Sequence, residues 1–206
     1  MQHARWLGVL PVPAVPELLL HQADDLQGLW EATGSSSPPY WAFPWLGGQA
    51  LARYVLDQPS AVAGLRVLDV ATGSGLVALA ALRAGAASVL ACDIDPLAAE
   101  AVAANAAVND LVVPFTGADL LDGPVPDVDV VLAGDVVYEA EMAARVLAWL
   151  RTARVPALLG DPGRHYLPQT GLRELASYDV PTTRELEGVT SKLVRVYEVL
   201  PAGSGG

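Results

Sequence analysis

Five aspartates are spaced through this chain as if along the rim of one cleft. Asp69, Asp93, Asp119, Asp135 and Asp161 each stand at or just beyond the end of a successive short apolar run, 67–70, 88–92, 112–115, 129–133 and 157–159. A carboxylate in such a place accepts hydrogen bonds from an amine or from a pair of hydroxyls. One aspartate of this kind is an ordinary loop residue; five in succession point to a ligand-binding edge. Beside the first lies Thr72-Gly73-Ser74-Gly75, a tight turn. Leu76 to Ala84 then reads as a helix whose first free N–H groups open at that turn.

The dinucleotide fingerprint G-x-G-x-x-G would need glycines at 71, 73 and 76, and the chain has Ala71, Gly73 and Leu76. A nicotinamide dehydrogenase is discounted on that ground. What remains, Asp-x-Ala-x-Gly-x-Gly, opens on an acid that would repel a pyrophosphate and attract an ammonium group. A ligand with an amine end and a ribose end fits better, and S-adenosyl-L-methionine is one. The turn resembles motif I of the class I methyltransferases, with Ala71 where that motif has its first glycine. The resemblance implies that Asp69 and the turn Ala71, Thr72, Gly73, Ser74 and Gly75 hold the methionine portion. Asp93, eighteen residues after Gly75, would accept from the ribose hydroxyls. Asp119 and Leu120 would meet the adenine amine, Ile94 would cover a ring face, and the product would be S-adenosyl-L-homocysteine.

A closer likeness runs through five blocks in order: PPYWAFPWLGGQALARYVLD, LDVATGSG, ACDIDP, GDVVYE and LLGDPGR. Together they span residues 38 to 164 and resemble the electron-transfer-flavoprotein β-subunit lysine methyltransferases and their bacterial relatives. Val15-Pro16-Glu17 resembles them too. The likeness implies an α/β fold, a mostly parallel, doubly wound seven-strand sheet of Rossmann-like type. It also implies methylation of a protein lysine, on the electron-transfer flavoprotein β subunit first and a ribosomal protein second. The larger group carries Asp-x-x-Tyr after its fourth strand, here Asp135-Val136-Val137-Tyr138, with Gly134 beside it on the cofactor side. Trp45 matches a tryptophan that lies against the cofactor. Asn105 and Asn109 match asparagines of the relatives, or serve only as helix-terminal hydrogen-bond groups.

The chemistry implied needs little acid–base machinery, because a sulfonium is already an activated methyl donor. It does need a neutral amine. A lysine of pKa about 10.4 lies some three units above neutrality, so the site must cover roughly 4 kcal/mol in presenting the free base. An aromatic wall of Trp41, Phe43, Trp45 and Tyr138 would lower that pKa by desolvation, and Asp135 would orient the amine before proton loss. Each residue has a plainer reading: Tyr138 as a core tyrosine, Asp135 as a helix cap, the aromatic block as simple packing. A small-molecule N- or O-methyltransferase and a non-catalytic binding module stay open as alternatives.

The elements that must position these residues follow from the pattern. Helices are expected over 49–56, with Leu51, Tyr54 and Val55 on one face, over 96–107 and over 141–150. Segments 178–187 and 193–200 alternate as an antiparallel pair. Strands alternating with helices mean a mostly parallel sheet covered on both faces. Residues 1–37 read as an N-terminal arm, 38–202 as the methyltransferase domain and 203–206 as a flexible tail. Pro11, Pro13 and Pro16 argue for an extended segment in the arm rather than a secretory signal or a membrane span, and 17–30 reads as a short amphipathic piece.

With 206 residues and 52% hydrophobic content, one domain with a sizeable core is expected. A net charge of −11 with no Lys/Arg cluster gives nucleic acid no footprint. Cys92 is the only cysteine, which excludes an internal disulfide and a cysteine-cluster zinc site, and the histidines at 3, 21 and 165 lack ligand spacing. No metal is expected. A cytoplasmic monomer acting on a protein substrate is the expectation that results.

Overall fold

The computed structural model describes residues 3–182 and 188–202. The chain opens with an antiparallel hairpin of β1 (Leu7–Val12) and β2 (Val15–Ala23), then α1 (Leu26–Thr33). Asp25 caps α1 by accepting from Gly28 N at 2.9 Å, and Gly34 stops it in the left-handed conformation. A single 3-10 turn, Tyr40–Ala42, leads into α2 (Leu46–Asp57). Strands and helices then alternate: β3 (Arg66–Val70), α3 (Leu76–Arg83), β4 (Ser88–Cys92), α4 (Pro96–Val108), β5 (Phe115–Thr116), β6 (Val130–Gly134), α5 (Ala140–Leu150) and β7 (Ala157–Asp161). The hairpin partners β8 (Leu172–Pro181) and β9 (Ser191–Val199) close the order.

The seven-stranded sheet runs β5-β4-β3-β6-β7-β9-β8, with β3 to β7 parallel and β9 antiparallel to both its neighbours. From β3 the chain winds outward to β4 and β5, then returns to β6 on the other side. The reversal of winding puts a crevice outside the carboxyl ends of β3 and β6. Period-two alternation splits the core. Val67, Val130 and Leu158 face α2 and α3, whereas Leu68, Val131 and Leu159 face α5. This is the doubly wound seven-strand architecture that the resemblance implies, and the mostly parallel sheet that the alternating pattern predicts.

Several boundaries differ for physical reasons. The extended arm is a β-hairpin whose Val12, Val15, Leu18 and Leu20 are fully buried in the α2–α3 core. Its prolines are tolerated because both strands are edges and the register shifts at Pro11/Val12. The amphipathic piece 17–30 divides into β2 and α1, since Asp25 stops one element and caps the next. The strand expected over 112–115 is only Phe115–Thr116: Val112 is 84% exposed and Pro114 removes a ladder donor. β8 starts six residues earlier than expected. Positions 183–187 and the tail 203–206 lie outside the described residues.

Two buried asparagines fasten the hairpin. Asn105 Oδ1 accepts from His21 N at 2.7 Å while its Nδ2 donates to Ser74 O at 2.8 Å, so β2 and the glycine turn share one amide. Asn109 accepts from Leu19 N at 3.0 Å and donates to Leu19 O at 2.7 Å, pairing with the strand edge as another strand would. The tertiary role is added to the helix-terminal one, since Asn109 Nδ2 also donates to Asn105 O at 2.7 Å at the end of α4.

Candidate active site

A cavity of about 300 Å³ occupies the crevice between β3 and β6. Its lower wall is the turn after β3. Ala71, Gly73 and Gly75 have φ of 53°, 51° and 82°, so the position where the motif's first glycine is replaced adopts the left-handed region all the same. For alanine that conformation costs roughly 1–2 kcal/mol. Asp69, 1% exposed, stabilises the turn: its Oδ2 accepts from Ala78 N at 3.0 Å and from the Thr72 hydroxyl. Burial pushes its carboxyl up to about 7, the Thr72 and Ala78 hydrogen bonds pulling the other way.

Asp93 follows β4. Its Oδ2 accepts from Gly73 N at 2.8 Å and its Oδ1 from Asp95 N at 3.0 Å, which aims the carboxylate at the cavity beside the turn. Burial raises this group too. Asp95 lines the same wall and caps α4, accepting from Leu97 N at 2.9 Å with Pro96 in the first turn.

The aromatic block forms the opposite wall. Tyr40, Trp41, Phe43 and Trp45 all line the cavity. Trp45 Nε1 donates to Tyr40 O at 2.8 Å, and the Tyr40 ring stands 5.7 Å from Trp45 and 5.2 Å from Tyr138. Trp41 is 3% exposed and its indole N–H has no protein partner. Tyr138, 37% exposed, is pushed up to about 12 by burial, and so is a neutral phenol at physiological pH.

The floor is made of close backbone contact. Gly47 and Gly48, in the first turn of α2, pack on Gly134 and Gly160, at the ends of β6 and β7. A Cβ on Gly47 would stand 2.2 Å from Gly160 O, and one on Gly134 would stand 2.8 Å from Gly48 Cα. At this contact Asp135, with φ 56°, turns its carboxylate onto Gly47 N and Arg164. Burial raises Asp135 to about 6 against the pull of the Arg164 charge.

Of the residues expected from sequence, Trp45, Asp69, Ala71, Thr72, Gly73, Ser74, Asp93, Gly134, Asp135 and Tyr138 line this one cavity. Gly75 stands behind the turn against Val102. Ile94 is 68% exposed at the end of β4. Asp119 lies outside the cavity, capping Leu120–Asp122 and paired with Arg145 at 2.8 Å, and Leu120 packs on the α5 side. Asp161 is fully buried beneath Arg164. Cys92 donates to Ala118 O at 3.2 Å, and burial pushes its thiol up to about 11. The lining also includes Tyr40, Gly48, Asp95 and Met142, which the sequence did not single out as site residues, and Arg164, for which the sequence left open an acidic substrate surface or solvent and which meets Asp135 of its own chain. Tyr40 and Gly48 sit inside noticed blocks, and the carboxylate at Asp95 was visible beside Asp93; Met142 carries no sequence signal.

The donor set fits S-adenosylmethionine. A buried carboxylate held by backbone N–H groups suits vicinal hydroxyls, an indole N–H without a protein partner suits a polar ligand, and the aromatic wall suits a cationic sulfonium. Among the described residues no group of three or more His, Cys, Asp or Glu side chains is placed to hold a metal, and no helix is long and apolar enough to cross a membrane.

Comparison with known proteins agrees with the fold. The family model for ribosomal protein L11 methyltransferase matches residues 49–140. The electron transfer flavoprotein beta subunit lysine methyltransferase of Xenopus laevis is 36% identical over 200 residues, covering 90% of this chain and 81% of the relative. The mouse protein of the same name is 38% identical over 169 residues, and the match spans 66% of its length. Among solved structures, magnesium protoporphyrin IX methyltransferase from Synechocystis with bound SAM superposes with a TM-score of 0.55 at 18% identity, covering 74% of this chain and 79% of that one. Ribosomal protein L11 methylase from Lactobacillus delbrueckii gives 0.51 at 20% identity, covering 75% and 79%. At those identities the likeness is one of fold.

Proposed function

Since this chain belongs to the electron transfer flavoprotein β-subunit lysine methyltransferase family, we propose that it transfers a methyl group from S-adenosylmethionine to the ε-amino nitrogen of a protein lysine. The electron transfer flavoprotein β subunit is the leading acceptor and a ribosomal protein the second. One observation carries the reading: the glycine turn and the Asp135–Tyr138 segment, distant in sequence, line one cavity with the aromatic block between them.

When bound, S-adenosylmethionine supplies a methyl group on a sulfonium, so the leaving group needs no acid. The protein's share is binding, orientation and desolvation. The turn 71–74 with Asp69 beneath it would hold the methionine portion, and Asp93 the ribose. Ile94, beyond Asp93 at the end of β4, is assigned to adenine where it leaves the cavity, while the Asp119 carboxylate is taken up by Arg145 and Leu121 N. The acceptor lysine would enter past Tyr40, Trp45 and Tyr138, whose rings exclude water and disfavour its charged form. Tyr138, a phenol at neutral pH, orients the nitrogen by hydrogen bonding rather than by taking its proton, which goes to water on entry. The charge of −11 suits an acceptor surface rich in lysine. We assign the protein to the cytoplasm and to a monomeric state, and residues 38–202 to its catalytic domain.

Two measurements test this. S-adenosylhomocysteine should bind on calorimetry; no binding would leave the non-catalytic module. Incubation with labelled cofactor and cell lysate should then label a protein band at lysine, whereas label in the small-molecule fraction would favour an N- or O-methyltransferase of metabolites.

A further inference from the structure

An ion pair is built into the cavity wall, and its geometry bears on how a lysine could react there. Asp135 Oδ1 accepts from Arg164 Nε at 3.2 Å and from Nη2 at 3.1 Å, while Oδ2 accepts from Gly47 N. The two side chains are 8% and 22% exposed. Asp161 Oδ1 fixes the arginine in turn, accepting from Gly163 N at 2.6 Å and Arg164 N at 2.7 Å. Desolvation largely cancels the Coulomb gain of a buried pair, so stability alone gives little reason to keep one in a cavity lining.

A buried carboxylate requires a counter-charge. Without Arg164, Asp135 would take it from a proton on itself or from an ammonium ion brought against it. In both cases the amine lone pair is engaged and one more proton must leave before nitrogen can react. With Arg164 in place the carboxylate is already balanced.

Resting on the lysine-methylation reading, we propose that Arg164 is a positioning residue: by neutralising Asp135 through two contacts at Oδ1, it lets the acceptor lysine dock as the free amine, oriented by the carboxylate but not held as an ammonium ion. The other groups around the pair leave this task to Arg164. Tyr138, just before α5, feels the Asp135 charge together with those of Tyr40, Glu139 and Asp93. Asp161 lies beside it, with Lys192 of β9 acting on Asp161 and His165 next in the chain. The first turn of α2, Leu46 to Gln49, adds an N–H and no titratable side chain. Both tyrosines are raised by burial and stay neutral, so the remaining acids would favour an ammonium ion.

The test is the pH dependence of kcat and KM for protein methylation by the full chain, on the acceptor found by lysate labelling. Arg164→Gln should move the acidic limb of kcat up by about 1 pH unit or more. At neutral pH that is about a tenfold loss, recovered at high pH, with KM for the acceptor unchanged or lower. Arg164→Lys should keep the wild-type limb, and the double variant Asp135→Asn/Arg164→Gln should return the limb towards it. Calorimetry with S-adenosylhomocysteine reports that each variant is folded and binds cofactor. Independently of turnover, carboxyl-carbon NMR should find Asp135 titrating near 6 in the wild type and higher in Arg164→Gln. A limb that stays in place while kcat falls equally at all pH values would overturn the inference, as would an unmoved Asp135 titration. A wild-type protein that methylates no lysine would overturn the functional reading and this inference with it.

Discussion

Replacing Gly47 by alanine should destabilise the protein, although helix propensity alone predicts the reverse. In a helix the change is worth up to about 1 kcal/mol in favour of alanine. Here the new Cβ would stand 2.2 Å from Gly160 O, 2.7 Å from Asp135 Oδ2 and 2.8 Å from Asp135 N, where ordinary contact begins at 3.4 Å. Backbone cannot swing aside as a side chain can, so α2 must lift from the ends of β6 and β7 by about 1 Å. Overpacking of this kind costs about 1–3 kcal/mol, and losing the Gly47 hydrogen bond to the Asp135 carboxylate about 1.5–3 more. The net expectation is a loss of about 2–5 kcal/mol, or roughly 4–20 °C in Tm for a chain of this size. Gly48→Ala is the internal control: the nearest atom to its Cβ is Val77 Cγ2 at 3.9 Å. That variant should be neutral or gain up to about 1 kcal/mol. Calorimetric melts and urea titrations of the two variants decide the matter. If Gly47→Ala melts at or above the wild-type temperature, the close helix–sheet contact is not what limits this position.

Asp93→Ala should weaken S-adenosylhomocysteine about 10-fold or more by calorimetry, since a hydrogen bond to a charged group is worth about 1.5–3 kcal/mol; retained affinity would remove Asp93 from the ribose. Asn105→Ala strands His21 N–H and Ser74 C=O in the core and should cost about 2–5 kcal/mol, with faster amide exchange along β2; exchange unchanged in β2 would contradict the tie. Stability should fall as pH rises from about 4 to 7. Asp69 and Asp135, raised by burial to about 7 and about 6, hold protons in the native state that the unfolded chain has already lost. Asp129, held down to about 2 by Arg66, acts in the opposite sense but only below about pH 4. Asp69→Asn should flatten the slope in urea titrations between pH 5 and 8, and an unchanged slope would mean that Asp69 stays ionised when buried.

What the chain discloses before folding is what depends on neighbours in sequence. The unit from Arg66 to Pro96 is legible because strand, turn, helix and strand each follow from local composition. Their parallel order follows from the short connections. The hairpin was hidden because Pro11 and Pro16 lower β propensity at every position except an edge, and edge position is a tertiary property. The aspartate pattern located the rim but not the duties of its members. Whether Asp119 meets a ligand or Arg145 depends on a residue 26 positions away, and Asp135 meets Arg164 across 29. The left-handed backbone at Ala71 also has no signature in residue type, because packing imposes it against the local preference.

The asparagine ties between α4 and β2 also set an order of events during synthesis. β2 leaves the ribosome early, yet the side chains that satisfy its edge, Asn105 and Asn109, lie 84 and 90 residues downstream. At ordinary translation speeds that is a delay of roughly 4–18 s. Throughout it the apolar face of the hairpin has no α4 to close against. The growing chain must keep an open strand edge from pairing elsewhere, and Pro11 and Pro16, residues that interrupt strand addition, lie within that waiting hairpin.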